Sequence, residues 1–173
     1  STWALVMSDD GGVTWADITD NVIDASSLPF EAFQIESLNL VATASDDEDW
    51  VAVAGYTSAI PSGATANLNG YVPFVVASDD GGDNFTFAHP LMDGDENMLT
   101  IMDMAVSPET NDGIHNIALA GTATVNTFGG SADPGPGAIF RLEAGTWLTG
   151  GWVDTRCYDG WDGSGESPCA AGD

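Results

Sequence analysis

The chain has no lysine and only two arginines, Arg141 and Arg156, among its 173 residues. Nucleic-acid binding needs clustered cations to neutralise phosphates, so that function is excluded, and docking on anionic lipid is disfavoured for the same reason. Only two cysteines occur, Cys157 and Cys169, with no second Cys or His close to either in sequence, which argues against a zinc site. No apolar run approaches the roughly 18 residues of a membrane span; the longest, "WVAVAGY" and "FVVA", have the length of strands. Gln, Lys and Arg, all good helix formers, are nearly missing. One segment, Leu28 to Ser37, has the pattern of a helical turn, and the rest is a string of short apolar runs ending in Gly, Asp, Asn or Ser.

What is abundant is acid. Twenty-seven Asp and Glu residues give a formal charge of −25. Repulsion on this scale works against the compact state, and three conditions relieve it: high salt, bound divalent cations, or a basic partner surface. A salt-rich extracellular setting follows as one reading; the other is that the acids simply solvate the surface. The hydrophobic fraction of 43% is sufficient for a packed core. The chain does not begin with Met, which fits a processed product or a piece of a longer polypeptide.

The stretch "SDDGGVTW" from Ser8 to Trp15 recurs as "SDDGGDNF" from Ser78 to Phe85. Two glycines after two acids are hairpin-turn chemistry: Gly takes positive φ without steric cost, and Asp oxygens accept nearby backbone N–H groups. Ser8, Asp10 and Gly12 are therefore expected to close one turn with Trp15 set beneath it, and Ser78, Asp80, Gly82 and Phe85 to close another. The recurrence extends beyond the turns. "IESLNLVATASDDEDWVAVAGYTS" and "LTIMDMAVSPETNDGIHNIALAGTA" each give a strand, an acidic turn and a strand ending in Ala-Gly, at Gly55 and Gly121. "GYVPFVVASDDGGDNF" and "GAIFRLEAGTW" then each give a Gly-led strand, a hairpin and an aromatic strand. The unit is four strands in about 60 to 70 residues. The last copy keeps Gly-Thr-Trp but has lost the Ser and Asp.

These residues resemble Asp-boxes, the bacterial neuraminidase repeats of β-propellers, and the blades resemble those of the sortilin and xyloglucanase type. The resemblance covers roughly residues 1–152 and implies an all-β chain of four-stranded antiparallel blades, about two and a half of them. The implied division is a partial blade at 1–20, blades at 35–88 and 98–152, with the propeller part running to 153, and a Gly- and Asp-rich tail at 154–173. A propeller has four to eight blades, so the chain is expected to be part of a larger ring or to complete its sheets with other chains. In the family, Asp-boxes sit on peripheral hairpins away from the central site, and the same blades occur in sialidases, endoglucanases, sorting receptors, assembly factors and surface proteins.

Catalytic constellations are missing. A sialidase site takes three arginines, more than this chain holds. Xyloglucanase-like propellers use an Asp pair from different blades, and with 20 Asp the sequence selects none. Asp103, inside the apolar strand "LTIMDMAVS", is read as solvent-facing, opposite Met102 and Met104. "DGDEN" places Asp93, Asp95 and Asn97 at alternate positions, a candidate for weak calcium binding that lacks the Gly and the twelfth-position Glu of an EF-hand. His89 and His115 have no Ser-His-Asp or His-x-x-x-His spacing around them. The six Trp residues offer a carbohydrate-binding face as an alternative to core packing. The sequon Asn84-Phe85-Thr86 is discounted because Phe85 is expected to be buried. Cys157 and Cys169 either close a disulfide loop, worth about 3 kcal/mol, or remain two thiols.

The resulting expectation is a non-catalytic extracellular or cell-surface scaffold whose partners are proteins: further blades of the same polypeptide, or neighbouring subunits. A secreted glycoside hydrolase with its site partly outside this segment is one alternative, and an assembly or sorting factor gripping a peptide is another. The charge balance generates a first test, thermal melting in dilute buffer with added Ca²⁺ or NaCl. The melting temperature is expected to rise with either addition, and an unchanged value removes the idea of cation relief.

Overall fold

The computed structural model describes residues 3–88, 91–93, 96–109, 115–127, 131–143 and 153–154. The chain is mostly β, and among the described residues the strands within each sheet pair antiparallel. A two-stranded hairpin comes first, β1 (Val6–Met7) against β2 (Ala16–Asp17). A five-residue helix, α1 (Thr19–Ile23), and a 3₁₀ turn (Ala32–Gln34) follow. The second sheet is a four-stranded meander, β3 (Ile35–Thr43), β4 (Val51–Thr57), β5 (Val72–Ser78) and β6 (Thr86–Phe87). The third contains β7 (Met92–Asp93), β8 (Glu96–Val106), β9 (Asn116–Thr127), β10 (Ser131–Glu143) and β11 (Val153–Asp154), in the order β11-β10-β9-β8-β7.

The helical turn expected in Leu28–Ser37 is the 3₁₀ turn, where the Gln34 side chain accepts the Glu31 N–H at 2.9 Å. Helix α1 is not foreshadowed: "TDNVI" is poor in helix formers, and what holds it is tertiary, with Val22 fully buried. Beyond it the chain runs beside β6. Ser26 forms a parallel bridge with Thr86, and their hydroxyls meet at 2.9 Å.

The core is organised by the second sheet, which is covered on both faces. Along β4, Ala52 and Ala54 turn one way and Val53 the other; along β5, Val75 and Ala77 oppose Phe74 and Val76. The Val53, Phe74 and Val76 face packs on Leu5, Val22 and Phe30 of the N-terminal layer. Phe30 makes edge-on contacts with Phe74 at 5.1 Å and Phe87 at 5.9 Å. The alanine face packs on Met98, Ile117, Leu119, Phe140 and Leu142 of the third sheet. Every residue of β5 is buried, which explains why "VPFVVAS" reads as a continuous apolar run rather than an alternation.

The two large sheets also repeat an irregularity. β3 is bulged on both sides of its Leu38–Gly55 pairing, and β8 on both sides of its Ile101–Gly121 pairing. A Cβ on Gly55 would run into the Ser37 carbonyl oxygen, and one on Gly121 into that of Thr100. The bulge swings the partner carbonyl over the space that a side chain would need, so only Gly fits. Gly55→Ala and Gly121→Ala are each expected to cost about 1–3 kcal/mol through forced backbone displacement. Urea unfolding followed by tryptophan fluorescence measures both, and a neutral result would show that the strands shift freely at these pairings.

Candidate functional site at the acidic end

Two turns of equal length hold the recurring sequence, and their bonding is nearly superposable. In the first, the Gly12 N–H donates to Ser8 Oγ at 2.7 Å, and Ser8 Oγ donates to Asp10 Oδ1 at 2.9 Å. Asp10 Oδ1 also accepts the N–H groups of Val13 and Thr14, and Oδ2 accepts the Thr14 hydroxyl at 2.7 Å. In the second, the Gly82 N–H donates to Ser78 Oγ at 2.8 Å, and Ser78 Oγ donates to Asp80 Oδ1 at 2.7 Å. Asp80 accepts the Asn84 N–H and, at 2.7 Å, the Asn84 side-chain amide. Gly12 and Gly82 both have φ near +90°, a backbone setting that few other residues tolerate. Thr14 and Asn84 supply the last bond, and each stands one residue before the aromatic. The Asn84 amide, the acceptor atom of the sequon, is thus already engaged with Asp80.

The aromatics differ. Phe85 is 2% exposed and lies 3.6 Å from the Cβ position of Gly82, with Ile18 covering the same glycine at 3.3 Å. Trp15 sits under its own turn, 3.6 Å from the equivalent position at Gly12, and donates its indole N–H to the Gly12 carbonyl at 3.1 Å. Yet Trp15 is 63% exposed. The second turn has the N-terminal layer against it, and the first has no such cover among the described residues. The third copy's Arg141 is exposed and Leu142 is in the core; residues 144–152, which hold its Gly-Thr-Trp, lie outside the described residues.

The turn between β3 and β4 completes this end of the molecule. Its Asp49 carbonyl accepts the Gly81 N–H at 2.9 Å, and Asp46 Oδ2 accepts the Glu109 N–H at 2.7 Å, so it ties the second sheet to the third. His115, 4% exposed, stacks on Trp50 with ring centroids 4.7 Å apart at 18°. Its Nε2 is 3.5 Å from Asp46 Oδ1, too far for a strong hydrogen bond, and neither ring nitrogen has a hydrogen-bond partner among the described residues. This inter-sheet cluster joins positions far apart in sequence, and no local spacing announces it.

Hydrogen bonding sets the acidity of these carboxylates. The Thr14 N–H and hydroxyl pull Asp10 down to about 2, helped by Ser8 and Val13. The Asn84 side chain lowers Asp80, and the Glu109 N–H lowers Asp46.

Among the described residues the other candidate positions gather into no metal site. Asp93 pairs with Glu96 across the β7–β8 hairpin, and Asn97 is buried with its Oδ1 accepting the Thr65 N–H at 3.2 Å. Asp95, His89, Cys157 and Cys169 lie outside the described residues. Among the described residues no three His, Cys, Asp or Glu side chains gather to hold a metal ion. Asp103 is exposed, but so is Met102, because the β8 bulge breaks the alternation that was to separate them. No helix among the described residues is long and apolar enough to cross a membrane.

No protein-family model, curated protein or solved structure matches this chain.

The unequal burial of the two turns sets the expected outcome of substitution. Ser78→Ala is expected to cost about 1–2 kcal/mol and Phe85→Ala about 3–5 kcal/mol. Ser8→Ala and Trp15→Ala are expected to cost about 1 kcal/mol or less, since water replaces the lost contacts. Asp10 is more acidic folded than unfolded, so its support of the first turn is fully present above the ordinary value of 3.8 and is lost as pH falls to about 2. Acid titration of the carboxyl resonances, together with urea unfolding of the four variants, checks both; equal costs in the two turns would contradict this account.

Proposed function

We propose that the chain forms blades of an Asp-box β-propeller and serves as a non-catalytic scaffold and interaction surface of an extracellular or cell-surface protein. The observation that carries the reading is the second sheet, a four-stranded antiparallel meander packed on both faces by the layers before and after it in the chain. Sheets stacked face to face in chain order are what propeller blades require, whereas a two-layer sandwich buries one face of each sheet. The exposed Trp15 supports the same reading. It holds the place that Phe85 holds under the N-terminal layer, and in the assembled protein a further sheet would cover it.

The scaffold role rests on how the polar groups are employed. The carboxylates of Asp10 and Asp80 are engaged with backbone and side-chain donors of their own turns, and that of Asp46 with the Glu109 N–H across the sheets. Hydrogen bonds of this kind hold the shape of the turns. The extracellular setting is inferred from the extreme acidity, which a salt-rich medium would relieve.

Electron cryo-microscopy of the polypeptide purified from its source, paired with a screen for reducing-sugar release from a panel of β-glucans, tests the proposal. Four-stranded sheets radiating about an axis, with no sugar release, are expected. A linear stack of sheets would overturn the propeller, and turnover lost on Asp103→Asn would move the assignment to a hydrolase.

A further inference from the structure

Between the N-terminal hairpin and the second sheet lies a cleft of about 320 Å³, within the ~300–1,000 Å³ range of ligand pockets. Its floor is apolar, formed by Leu5, Ile18, Val41 and Val51. Asp9, Glu48 and Asp49 also line it. These three differ from the acids of the turn bonds: their carboxylates accept no hydrogen bond and join no ion pair among the described residues. In the repeated sequence the first Asp is thus left over. Asp10 fastens the turn and Asp9 faces the cleft.

Three uncompensated carboxylates beside an apolar floor repel one another and attract a cation. A compact metal ion is not the match, since no three acid side chains among the described residues converge closely enough to hold one. An extended organic cation is. A guanidinium spreads its charge over five donors in a planar fork and is weakly hydrated, and its methylene stem packs on apolar surface. The cleft also runs along Val41 and Thr43 of β3, which has no strand on its outer side in the second sheet, so an extended backbone can lie beside it.

We propose that this cleft binds an arginine side chain presented by an extended segment of a partner protein, its stem along Val41 and Val51 and its head among Asp9, Glu48 and Asp49. The chain itself is almost without cations, so the complementary charge is to come from another protein. The inference rests on the scaffold reading only in taking a protein as the partner.

The test is a nitrogen-15 NMR titration with an acetylated, amidated Val-Thr-Arg-Thr-Val peptide in about 0.15 M salt, where long-range attraction is screened. Saturable shifts at the amides of Val41, Asp49, Val51 and Gly81 are expected. Binding is expected to weaken about tenfold or more when norleucine replaces the arginine, and again in the Glu48→Gln/Asp49→Asn double variant. Shifts spread evenly over the acidic surface, equal binding of the norleucine peptide, or an unaffected double variant would each overturn the proposal. If Arg156→Ala alone shifts the same amides, the occupant is the chain's own arginine and the foreign partner is refuted. Loss of peptide binding would leave the sheet arrangement untouched, and a failed ring reconstruction would leave the cleft intact, so the two readings fail separately.

Discussion

Residues Val72–Ser78 have no face in contact with water. A strand buried on both sides needs a layer on each, and the layers must come from segments that cannot bury themselves alone. The N-terminal hairpin has two residues per strand, and α1 has five residues, too few for either to be stable in isolation. Both persist because Leu5, Val22 and Phe30 have Val53, Phe74 and Val76 to pack against. At about 1.5–3 kcal/mol for each large apolar side chain buried, this cluster outweighs any intrinsic preference of the segments that contribute to it. The small alanines on the opposite face let the third sheet approach closely with its larger Phe140, Leu119 and Ile117.

The acidic end shows how strongly context divides identical chemistry. The two turns share Ser, Asp, Gly and nearly every bond. One is closed over by a neighbouring layer and one is open, so an aromatic in the same local position is core in the first case and surface in the second. Within each turn the neighbouring acids also separate. The second Asp accepts N–H groups, as Asp10 and Asp80 do, and the first points elsewhere. Charge count alone made all of these equivalent.

The ends of β3 and β5 were legible because Ser-Asp-Asp and Asp-Asp-Gly-Gly are punctuation that the physics of turns requires, but the expected ends at Gly55 and Gly121 were wrong: β4 runs on to Thr57 and β9 to Thr127, with each glycine inside its strand. The turn bonding was legible for the same reason, since it is local. Helix α1 was not, because its stability lies in Val22 and not in "TDNVI". The paired bulges at Gly55 and Gly121 left a trace, the recurring Ala-Gly, whose meaning needs the neighbouring carbonyl to be seen. The Asp46–His115–Trp50 cluster left none, because it is assembled from two loops of different sheets. The cleft was equally invisible: the recurring turns mark the hairpin and the sheet separately, and nothing in their sequence tells how the two lie against each other.

The bonds around Asp10 and Asp80 span at most four residues and about 3 Å, well inside any ionic atmosphere. Mutual repulsion among the surface carboxylates acts across much longer distances, where mobile ions intervene. Brine therefore weakens what pushes the chain apart and leaves what pins its corners nearly untouched. A protein fastened in this way is expected to hold its turns as its medium concentrates, with no need for a surface of ion pairs that the same medium would dissolve.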